Sequence, residues 1–168
     1  MKKLYLLVLI CFCLTNCKSS KRSISKTNNT TTNRTANAST SNEIRNIIDH
    51  AKSYEGTRYK YGGDSKRGMD CSGLVVKAFM KEDIKLPRTT SDLSKTGDWI
   101  DVKAVREGDL LFFATKKNSR KINHVGIVTK SRPGYVEFIH STTSKGVIRS
   151  TLSERYWYLA YVQARRIM

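Results

Sequence analysis

Three side chains of this sequence have types and positions that could do chemistry: one cysteine and two histidines. Cys71 follows Asp70 and a glycine-rich stretch, and apolar residues recur behind it at helical spacing. Because Asp is a favoured N-cap residue, the pattern predicts that Cys71 begins a helix of about three turns. Free N–H groups and the dipole at a helix start favour thiolate, so we expect a lowered cysteine pKa. The alternative is that Cys71 is a small buried core residue.

The two histidines, His124 and His140, stand on segments that resemble short strands, His124 to Thr129 and Tyr135 to His140. If these strands pair as a hairpin, the start of the first lies beside the end of the second, and the imidazoles are neighbours. One imidazole can then take the thiol proton while the other holds its tautomer. Two strand histidines with unrelated roles are the alternative at this point.

The elements that must position these residues are helices first and strands afterwards. An apolar face from Ile44 to Ala51 predicts a helix that begins at Asn42 and stops before Gly56, with His50 as a surface residue beside it. The glycine-rich stretch before Cys71 is predicted to hold no regular element, and a short helix is predicted from about Thr90 to Thr96. This order predicts an α+β fold, with N-terminal helices packed on a mostly antiparallel sheet of about five to six strands. The predicted strands are Leu110 to Ala114, His124 to Thr129, Tyr135 to His140, Val147 to Ser150 and Tyr158 to Arg165.

The charge of the chain predicts an anionic partner. The 168 residues include 31 Lys and Arg against 14 Asp and Glu, a formal net charge of +17. Such a bias favours attraction to an anionic polymer or surface, although a generic basic surface is the alternative. No RNP-like aromatic motif, zinc-finger spacing or basic heptad region is present, so we expect no nucleic-acid partner. Beyond Cys17 the sequence has the single cysteine Cys71, which excludes a disulfide framework in the folded part.

Residues 1–16 have the composition of a signal peptide. Two lysines precede an apolar run from Leu4 to Leu14, which is too short to span a bilayer. The run ends in Leu14-Thr15-Asn16-Cys17, which resembles the lipobox of bacterial lipoproteins, although Asn16 replaces the usual small residue. In such proteins the signal is cut before the cysteine, which is then acylated, so we expect a lipid on Cys17.

The residues after Cys17 indicate how the folded domain is attached to a membrane. Residues 17–42 are almost wholly Lys, Ser, Thr, Asn and Arg, which predicts a disordered tether before a folded domain at 43–168. Lys18 resembles the residue found in lipoproteins sent to an outer membrane. We therefore expect a lipid-anchored protein on the periplasmic side of the outer membrane.

Several short motifs together resemble the NlpC-type cell-wall cysteine peptidases, and within that family the murein endopeptidase lipoproteins. The resemblance extends from about Thr57 to the C-terminus, with the motifs in the family's order and spacing. It implies a papain-like cysteine peptidase core. The motifs that carry it are Tyr59 to Gly63, Asp70-Cys71-Ser72-Gly73-Leu74, Leu86-Pro87-Arg88-Thr89, Gly108-Asp109-Leu110, His124-Val125-Gly126-Ile127 and Phe138-Ile139-His140-Ser141.

The resemblance implies roles for these residues. Cys71 would be the nucleophile, His124 the general base and later acid, and His140 the third member that orients His124. It also implies that the Tyr59 hydroxyl belongs to the oxyanion hole, where the backbone N–H of Cys71 would be its partner donor. Tyr61 we assign to packing. Three further residues are implied to bind substrate along the groove: Asp70, Ser72 and Arg88.

The function implied by the resemblance is hydrolysis of peptidoglycan during cell-wall remodelling. The bond would be the D-Ala to diamino-acid cross-link between stem peptides, cut through a thioester acyl-enzyme. The alternatives are a peptidase for the D-Glu to diamino-acid bond within a stem, and a wall-binding module of the same fold.

A zinc site formed by Cys71, His124 and His140 is a third alternative. The cysteine at a helix start and the oxyanion donor would be superfluous around a metal, so we expect neither a metal nor a cofactor. The expected partners are peptidoglycan and a membrane, and we expect a monomer. We expect the activity to be controlled, and a regulatory protease or an adaptor is a possible partner that no residue pattern identifies.

Overall fold

The computed structural model describes the backbone of residues 29–168 and the side chains of residues 39–168. It confirms the predicted α+β class. The helices in this part of the chain are α1 (Asn29–Lys52), α2 (Cys71–Met80), α3 (Thr90–Leu93) and α4 (Arg155–Ala160), and a 3-10 turn covers Val102–Ala104. The strands are β1 (Asp64–Ser65), β2 (Gly68–Met69), β3 (Asp98–Ile100), β4 (Leu110–Phe113), β5 (His124–Arg132), β6 (Tyr135–Thr142), β7 (Gly146–Thr151) and β8 (Tyr161–Arg166).

Six strands form one antiparallel sheet in the order β3-β8-β4-β5-β6-β7. The first four predicted strands correspond to β4, β5, β6 and β7, so these predictions are confirmed. The sequence analysis missed β3, because its three residues lie at the sheet edge, pair with β8 alone and are mostly exposed. A short exposed edge strand has no alternating apolar pattern to indicate it.

The fifth predicted strand, Tyr158 to Arg165, is wrong in its first three residues. Helix α4 continues to Ala160, and β8 begins only at Tyr161. Trp157 and Ala160 are buried, whereas Tyr158 is exposed. Burial at a spacing of three residues is the pattern of a helix face, and the aromatic residues of this segment concealed it by favouring a strand.

The sheet separates two apolar clusters because neighbouring residues of a strand point to opposite faces. On one face, Leu110 and Phe112 of β4 pack against helices α1 and α2. On the other face, Leu111 and Phe113 pack with Trp157 of α4. Strand β4 is therefore buried on both sides, and the sheet lies in the middle of the domain. The predicted apolar stripe of α2 is confirmed by its fully buried residues Leu74, Val75, Ala78 and Phe79.

Helix α1 begins much earlier than predicted. It starts at Asn29, so the disordered tether expected at 17–42 is replaced by helix over residues 29–42, and residues 17–28 lie outside the described part. The apolar end of the helix is fixed by Ile47, Ile48 and Ala51, which are buried in the core. Once such an anchored turn exists, each added residue gains a backbone hydrogen bond without a new nucleation cost. The polar composition of the segment does not indicate that the helix extends into it, because the extension depends on the anchored turn.

The loop before α2 is held by close backbone contacts. The sequence predicted no regular element here, but β1 and β2 form a small hairpin that pairs Asp64 with Met69. A Cβ atom at Gly73 would collide with the carbonyl oxygen of Gly63. Glycine at position 73 therefore lets this loop rest directly on the first turn of α2.

Asp109 joins three parts of the sheet. Its carboxylate accepts two hydrogen bonds of 2.8 Å from the guanidinium of Arg166 in β8 and one of 2.7 Å from the backbone N–H of Arg106. Its backbone carbonyl accepts from the N–H of Val128 in β5. The carboxylate is buried, so the pair is shielded from water. The Gly108-Asp109-Leu110 motif therefore has a structural role.

We expect Asp109→Ala to lower the free energy of unfolding by about 3 kcal/mol, because it leaves a partly buried guanidinium and a backbone N–H without their acceptor. Urea unfolding followed by circular dichroism measures the change. The matched control is Asp49→Ala, which removes an exposed carboxylate paired with Lys52 and should change stability by less than about 0.5 kcal/mol. Equal small losses in both variants would contradict the structural role of Asp109.

Candidate active site

His124 and His140 meet across the β5–β6 pair. Ile127 pairs with Ile139, so this register places Gly126 opposite His140 and His124 two residues further along the same face. The Nε2 atom of His124 lies 2.9 Å from the Nδ1 atom of His140, a hydrogen-bond distance. The predicted proximity of the two imidazoles is confirmed.

Gly126 supplies the space that His140 needs. A Cβ atom at position 126 would lie 2.7 Å from Cδ2 of Phe138, 3.0 Å from the carbonyl oxygen of Ile139 and 3.2 Å from Cβ of His140. A side chain here would collide with the Phe138 ring and crowd the β6 backbone and the Cβ atom from which the His140 ring extends. This explains why the motif that contains His124 also contains a glycine.

Cys71 lies at the first position of α2, as predicted. Asp70 is the N-cap, and its Oδ1 atom accepts the N–H of Gly73 at 2.6 Å. The backbone of Val125 lies against the Cys71 thiol in the buried cluster that contains both residues, and it lowers the thiol pKa. Because Val125 directly follows His124, this contact brings the thiol to the start of β5, where the histidine pair lies. On the other strand, the hydroxyl of Ser141 donates to the carbonyl oxygen of Met69 at 2.8 Å, which ties the end of β6 to the residues before Cys71.

The environment of Cys71 raises its thiol pKa, contrary to the expected lowering. Burial is the main cause, since the residue is only 8% exposed. Hydrogen bonds from Thr90 and from the Val125 backbone lower the pKa in part, and the charge of Asp70 raises it further. The expected lowering of the pKa took account of the helix dipole but not of desolvation or of the capping carboxylate. The thiol therefore needs a base to remove its proton.

Both histidines are kept neutral by burial. Desolvation lowers the pKa of His124 to about 4. It lowers the pKa of His140 to about 3, with a smaller contribution from His124. A neutral imidazole has one free lone pair, so His124 is in the protonation state that a general base requires. His50, by contrast, lies on α1, is partly exposed and packs edge-on against Tyr54.

Asp70, Ser72 and Arg88 form a hydrogen-bonded cluster beside Cys71. The Arg88 guanidinium binds both carboxylate oxygens of Asp70 at 2.9 Å, and its Nη1 atom also donates to Ser72 Oγ at 2.7 Å. Although burial opposes it, these bonds and those from the backbone of Gly73 and Gly62 lower the pKa of Asp70. Asp70 and Ser72 are buried, whereas the Arg88 side chain is 41% exposed. Arg88 is therefore the member of this cluster that faces solvent beside the helix start.

The two tyrosines near the site differ in environment. The Tyr59 backbone bridges to Met69, just before the helix start. Burial, and then the charges of Cys71 and Asp70, raise the pKa of its phenol, so Tyr59 keeps its proton. The contribution of Cys71 shows that the phenol is close enough to the thiol to interact with it electrostatically. Tyr61 is 88% exposed, so the packing role predicted for it is wrong. The chain turns at Gly62, which has a φ of 73°, and Tyr61 lies on the surface just before this turn.

Three residues that the sequence analysis missed contact the site. Trp157 stacks on His124 with ring centroids 5.4 Å apart, and meets His140 edge-on at 4.6 Å. Ser150 Oγ lies 3.1 Å from His140 Nε2, and Thr90 Oγ1 lies 3.6 Å from the Cys71 sulfur. Trp157 lies on helix α4, of which only the last three residues fell in a predicted strand and none in a predicted helix, and the Ser150 contact depends on the β6–β7 register. Neither could be found from spacing alone.

The donor set does not favour the zinc alternative. Both ring nitrogens of His140 are engaged, by His124 and by Ser150. Within residues 39–168 no group of three or more His, Cys, Asp or Glu side chains is arranged to hold a metal ion. A ligand role for His140 would break two buried hydrogen bonds.

Comparison with known proteins gives consistent matches. The sequence profile of the NlpC/P60 family matches residues 56–166. The probable endopeptidase NlpC of Escherichia coli K12 is 42% identical over 125 residues, which are 74% of this chain and 78% of that protein. The murein DD-endopeptidase MepS/murein LD-carboxypeptidase of the same organism is 37% identical over 123 residues, which are 73% of this chain and 62% of that protein. A solved NLP/P60 structure from Staphylococcus aureus, described as similar to lipoprotein, superposes with a TM-score of 0.65 at 32% identity, over 76% of this chain and 42% of that one.

Because the two histidines stay neutral in the folded protein, we expect stability to depend on pH. An unfolded histidine binds a proton near its ordinary pKa of 6.5, whereas the folded values are about 4 and about 3. Between these values the unfolded chain holds more protons, so the free energy of unfolding falls as the pH decreases from about 7 to about 4. Each histidine contributes a slope of at most about 1.4 kcal/mol per pH unit.

Urea unfolding between about pH 4.5 and about pH 7.5 measures this slope. His140→Gln should flatten the slope, because it removes one buried imidazole. The control, His50→Gln, should retain most of it, since His50 is only partly buried. A wild-type profile that is flat across this range would contradict the burial of neutral imidazoles.

Proposed function

This chain belongs to the NlpC/P60 family, and we propose that it is a cysteine peptidase that hydrolyses stem-peptide cross-links of peptidoglycan. The family match confirms the resemblance seen in the sequence motifs. The observation that carries the proposal is the pair of imidazoles, with His124 Nε2 2.9 Å from His140 Nδ1, at the start of the strand whose Val125 lies against Cys71. A thiol, a base and a group that orients the base are the parts that acyl transfer requires.

The first half of the reaction forms the acyl-enzyme. His124 Nε2 is engaged by His140, so Nδ1 is the atom that takes the proton from Cys71. The sulfur attacks the carbonyl carbon of the scissile bond, and the oxyanion is stabilised by the Cys71 N–H and the Tyr59 hydroxyl. The C–N bond then breaks, His124 returns the proton to the leaving amine, and a thioester remains on Cys71.

The second half releases the product. His124 takes a proton from water, and the resulting hydroxide attacks the thioester carbonyl. The carbon–sulfur bond breaks, a carboxylic acid leaves, and the proton returns to the thiol. Because burial raises the Cys71 pKa and lowers the His124 pKa, the free protein favours neutral thiol and neutral imidazole. Proton transfer therefore accompanies attack on the substrate, as in general-base catalysis.

The charge and the relatives support peptidoglycan as the substrate. The relative from Escherichia coli that is 37% identical is named a murein DD-endopeptidase and LD-carboxypeptidase. A net charge of +17 concentrates the protein on an anionic wall. Arg88, beside the helix start and partly exposed, is placed to meet a carboxylate of the stem peptide, whereas the buried Asp70 and Ser72 hold Arg88 in position.

We expect purified wild-type protein to convert cross-linked muropeptide dimers of isolated sacculi to monomers, while Cys71→Ser releases no product. The products are separated by chromatography and identified by mass. Unfolding of both proteins at the same urea concentration would show that the control is folded. Release of dipeptides that leave shortened stems would show that the within-stem bond is cut instead of the cross-link. Binding to sacculi without any product would contradict the peptidase activity.

We further propose that the protein is a lipoprotein attached to the periplasmic side of the outer membrane. Residues 1–28 lie outside the described part, so the support is the sequence: a signal-like run at 1–16, a cysteine at position 17 and Lys18 after it. Among residues 29–168 no helix is long and apolar enough to cross a membrane. An acylated Cys17 would supply the attachment, and the segment that follows would set its distance from the wall.

We expect Cys17→Ser to abolish incorporation of radioactive palmitate, because it removes the acylated thiol. The matched control is Cys13→Ser, which changes a cysteine within the signal that is removed and should leave labelling intact. Density-gradient separation of the labelled membranes then shows which membrane holds the protein. Labelling of the Cys17→Ser variant would contradict the proposed site.

A further inference from the structure

We propose that Ser150 is a positioning residue whose hydroxyl accepts the Nε2–H of His140 and so keeps a lone pair free on His124 for the Cys71 proton. The inference deepens the proposed function and rests on it. It adds a fourth group to the thiol and the two imidazoles.

The three side chains form a continuous line across the sheet. His140 pairs with Ile148 in the β6–β7 register, so Ser150 lies two residues along β7 on the face of His140. His124 Nε2 lies 2.9 Å from His140 Nδ1, and His140 Nε2 lies 3.1 Å from Ser150 Oγ. His140 is fully buried, and His124 and Ser150 are nearly so. Both nitrogens of His140 therefore depend on protein partners.

Two proton arrangements are compatible with these distances. In the first, His124 Nε2–H donates to His140 Nδ1, and His140 Nε2–H donates to Ser150. In the second, every bond is reversed: Ser150 donates to His140 Nε2, and His140 Nδ1–H donates to His124 Nε2. Only the first leaves His124 Nδ1 without a proton, because a neutral imidazole carries one N–H.

The reaction itself requires the first arrangement. When His124 takes the thiol proton it becomes an imidazolium, and both of its nitrogens are then donors. His140 Nδ1 must accept from it, so His140 Nε2 carries the hydrogen and needs an acceptor. Ser150 is that acceptor. Without it, a buried N–H would be unpaired at the moment when charge develops.

Trp157 limits the hydrogen-bond partners that the two imidazoles can reach. Its ring lies nearly parallel to His124, at an interplanar angle of 22°, and edge-on to His140, at 80°. It covers ring surfaces and occupies space that water would otherwise fill. The partners in the ring planes therefore decide which nitrogen carries the hydrogen.

The test combines imidazole spectra with kinetics for the wild type, Ser150→Ala and Ser150→Thr. Two-bond proton–nitrogen spectra of ¹⁵N-histidine protein distinguish a protonated ring nitrogen from a bare one. The sequence has three histidines, and His50→Gln removes the signals of the third. We expect bare Nδ1 and protonated Nε2 on His140 of the wild type, and a mixture of both forms in Ser150→Ala.

For the kinetics we expect Ser150→Ala to lower kcat about tenfold, the loss typical of one hydrogen bond, while KM changes less than about twofold. Ser150→Thr keeps the hydroxyl and should restore most of kcat. A protonated Nδ1 on wild-type His140 would overturn the proposal, as would full kcat in Ser150→Ala or equal losses in the two variants.

The imidazole spectra need no substrate, so they separate this inference from the proposed function. Alkylation of Cys71 by iodoacetamide gives a second readout without substrate, and we expect it to be about tenfold slower in Ser150→Ala than in the wild type. Expected spectra and alkylation rates with no product from peptidoglycan would overturn the peptidase assignment and leave the positioning role of Ser150 supported.

Discussion

The hydrogen bond between His124 and His140 depends on one strand register, and the rest of the site depends on that hydrogen bond. A shift of β5 against β6 by one residue would turn one imidazole to the opposite face of the sheet. The buried residues that pair beside them, Ile127 and Ile139, make such a shift costly because they would leave the core. Gly126 then leaves room for the Phe138 ring and for the Cβ atom of His140. Apolar packing, not the imidazoles themselves, holds the catalytic distance.

Burial has opposite effects on the parts of this site. It raises the pKa of the Cys71 thiol and lowers those of His124 and His140, so the resting protein holds no ion pair there. The charges that remain nearby, Asp70 and Arg88, neutralise one another through two hydrogen bonds. A dry site of this kind strengthens each interaction with a developing charge, because no solvent screens it. The neutral resting state is consistent with charge separation that occurs only with substrate present.

The sequence predicted the features that follow from local chemistry. The Asp70 cap, the start of α2 at Cys71 and the first four strands follow from residue types and spacing, and the structure bears them out. The errors come from effects that involve distant residues. Burial by the surrounding fold reversed the expected pKa shift of Cys71, and core packing at Ile47 and Ile48 extends α1 over a polar segment.

The same division applies within the site. The proximity of His124 and His140 could be predicted because a hairpin fixes it by local pairing. The contacts of Ser150 and Trp157 could not be predicted, because the first depends on the β6–β7 register and the second on helix α4, which the sequence did not indicate. The residue pattern suggested a thiol with a base and an orienting imidazole, whereas the assignment of His124 and His140 to those two roles, and the role of Tyr59, came from family resemblance. The geometry adds which atoms of these side chains are free to perform those roles.

The hydrogen bond from Ser141 to Met69 joins residues 72 positions apart in the chain. Contacts of such long sequence separation form late, because the entropy of closing the intervening loop must be overcome first. Cys71 and the histidine pair are thus brought together only once these long-range contacts have formed. A partly folded chain would have a helix with a thiol, or a hairpin with two imidazoles, but no assembled hydrolase. Hydrolytic activity would therefore first appear when these two parts meet.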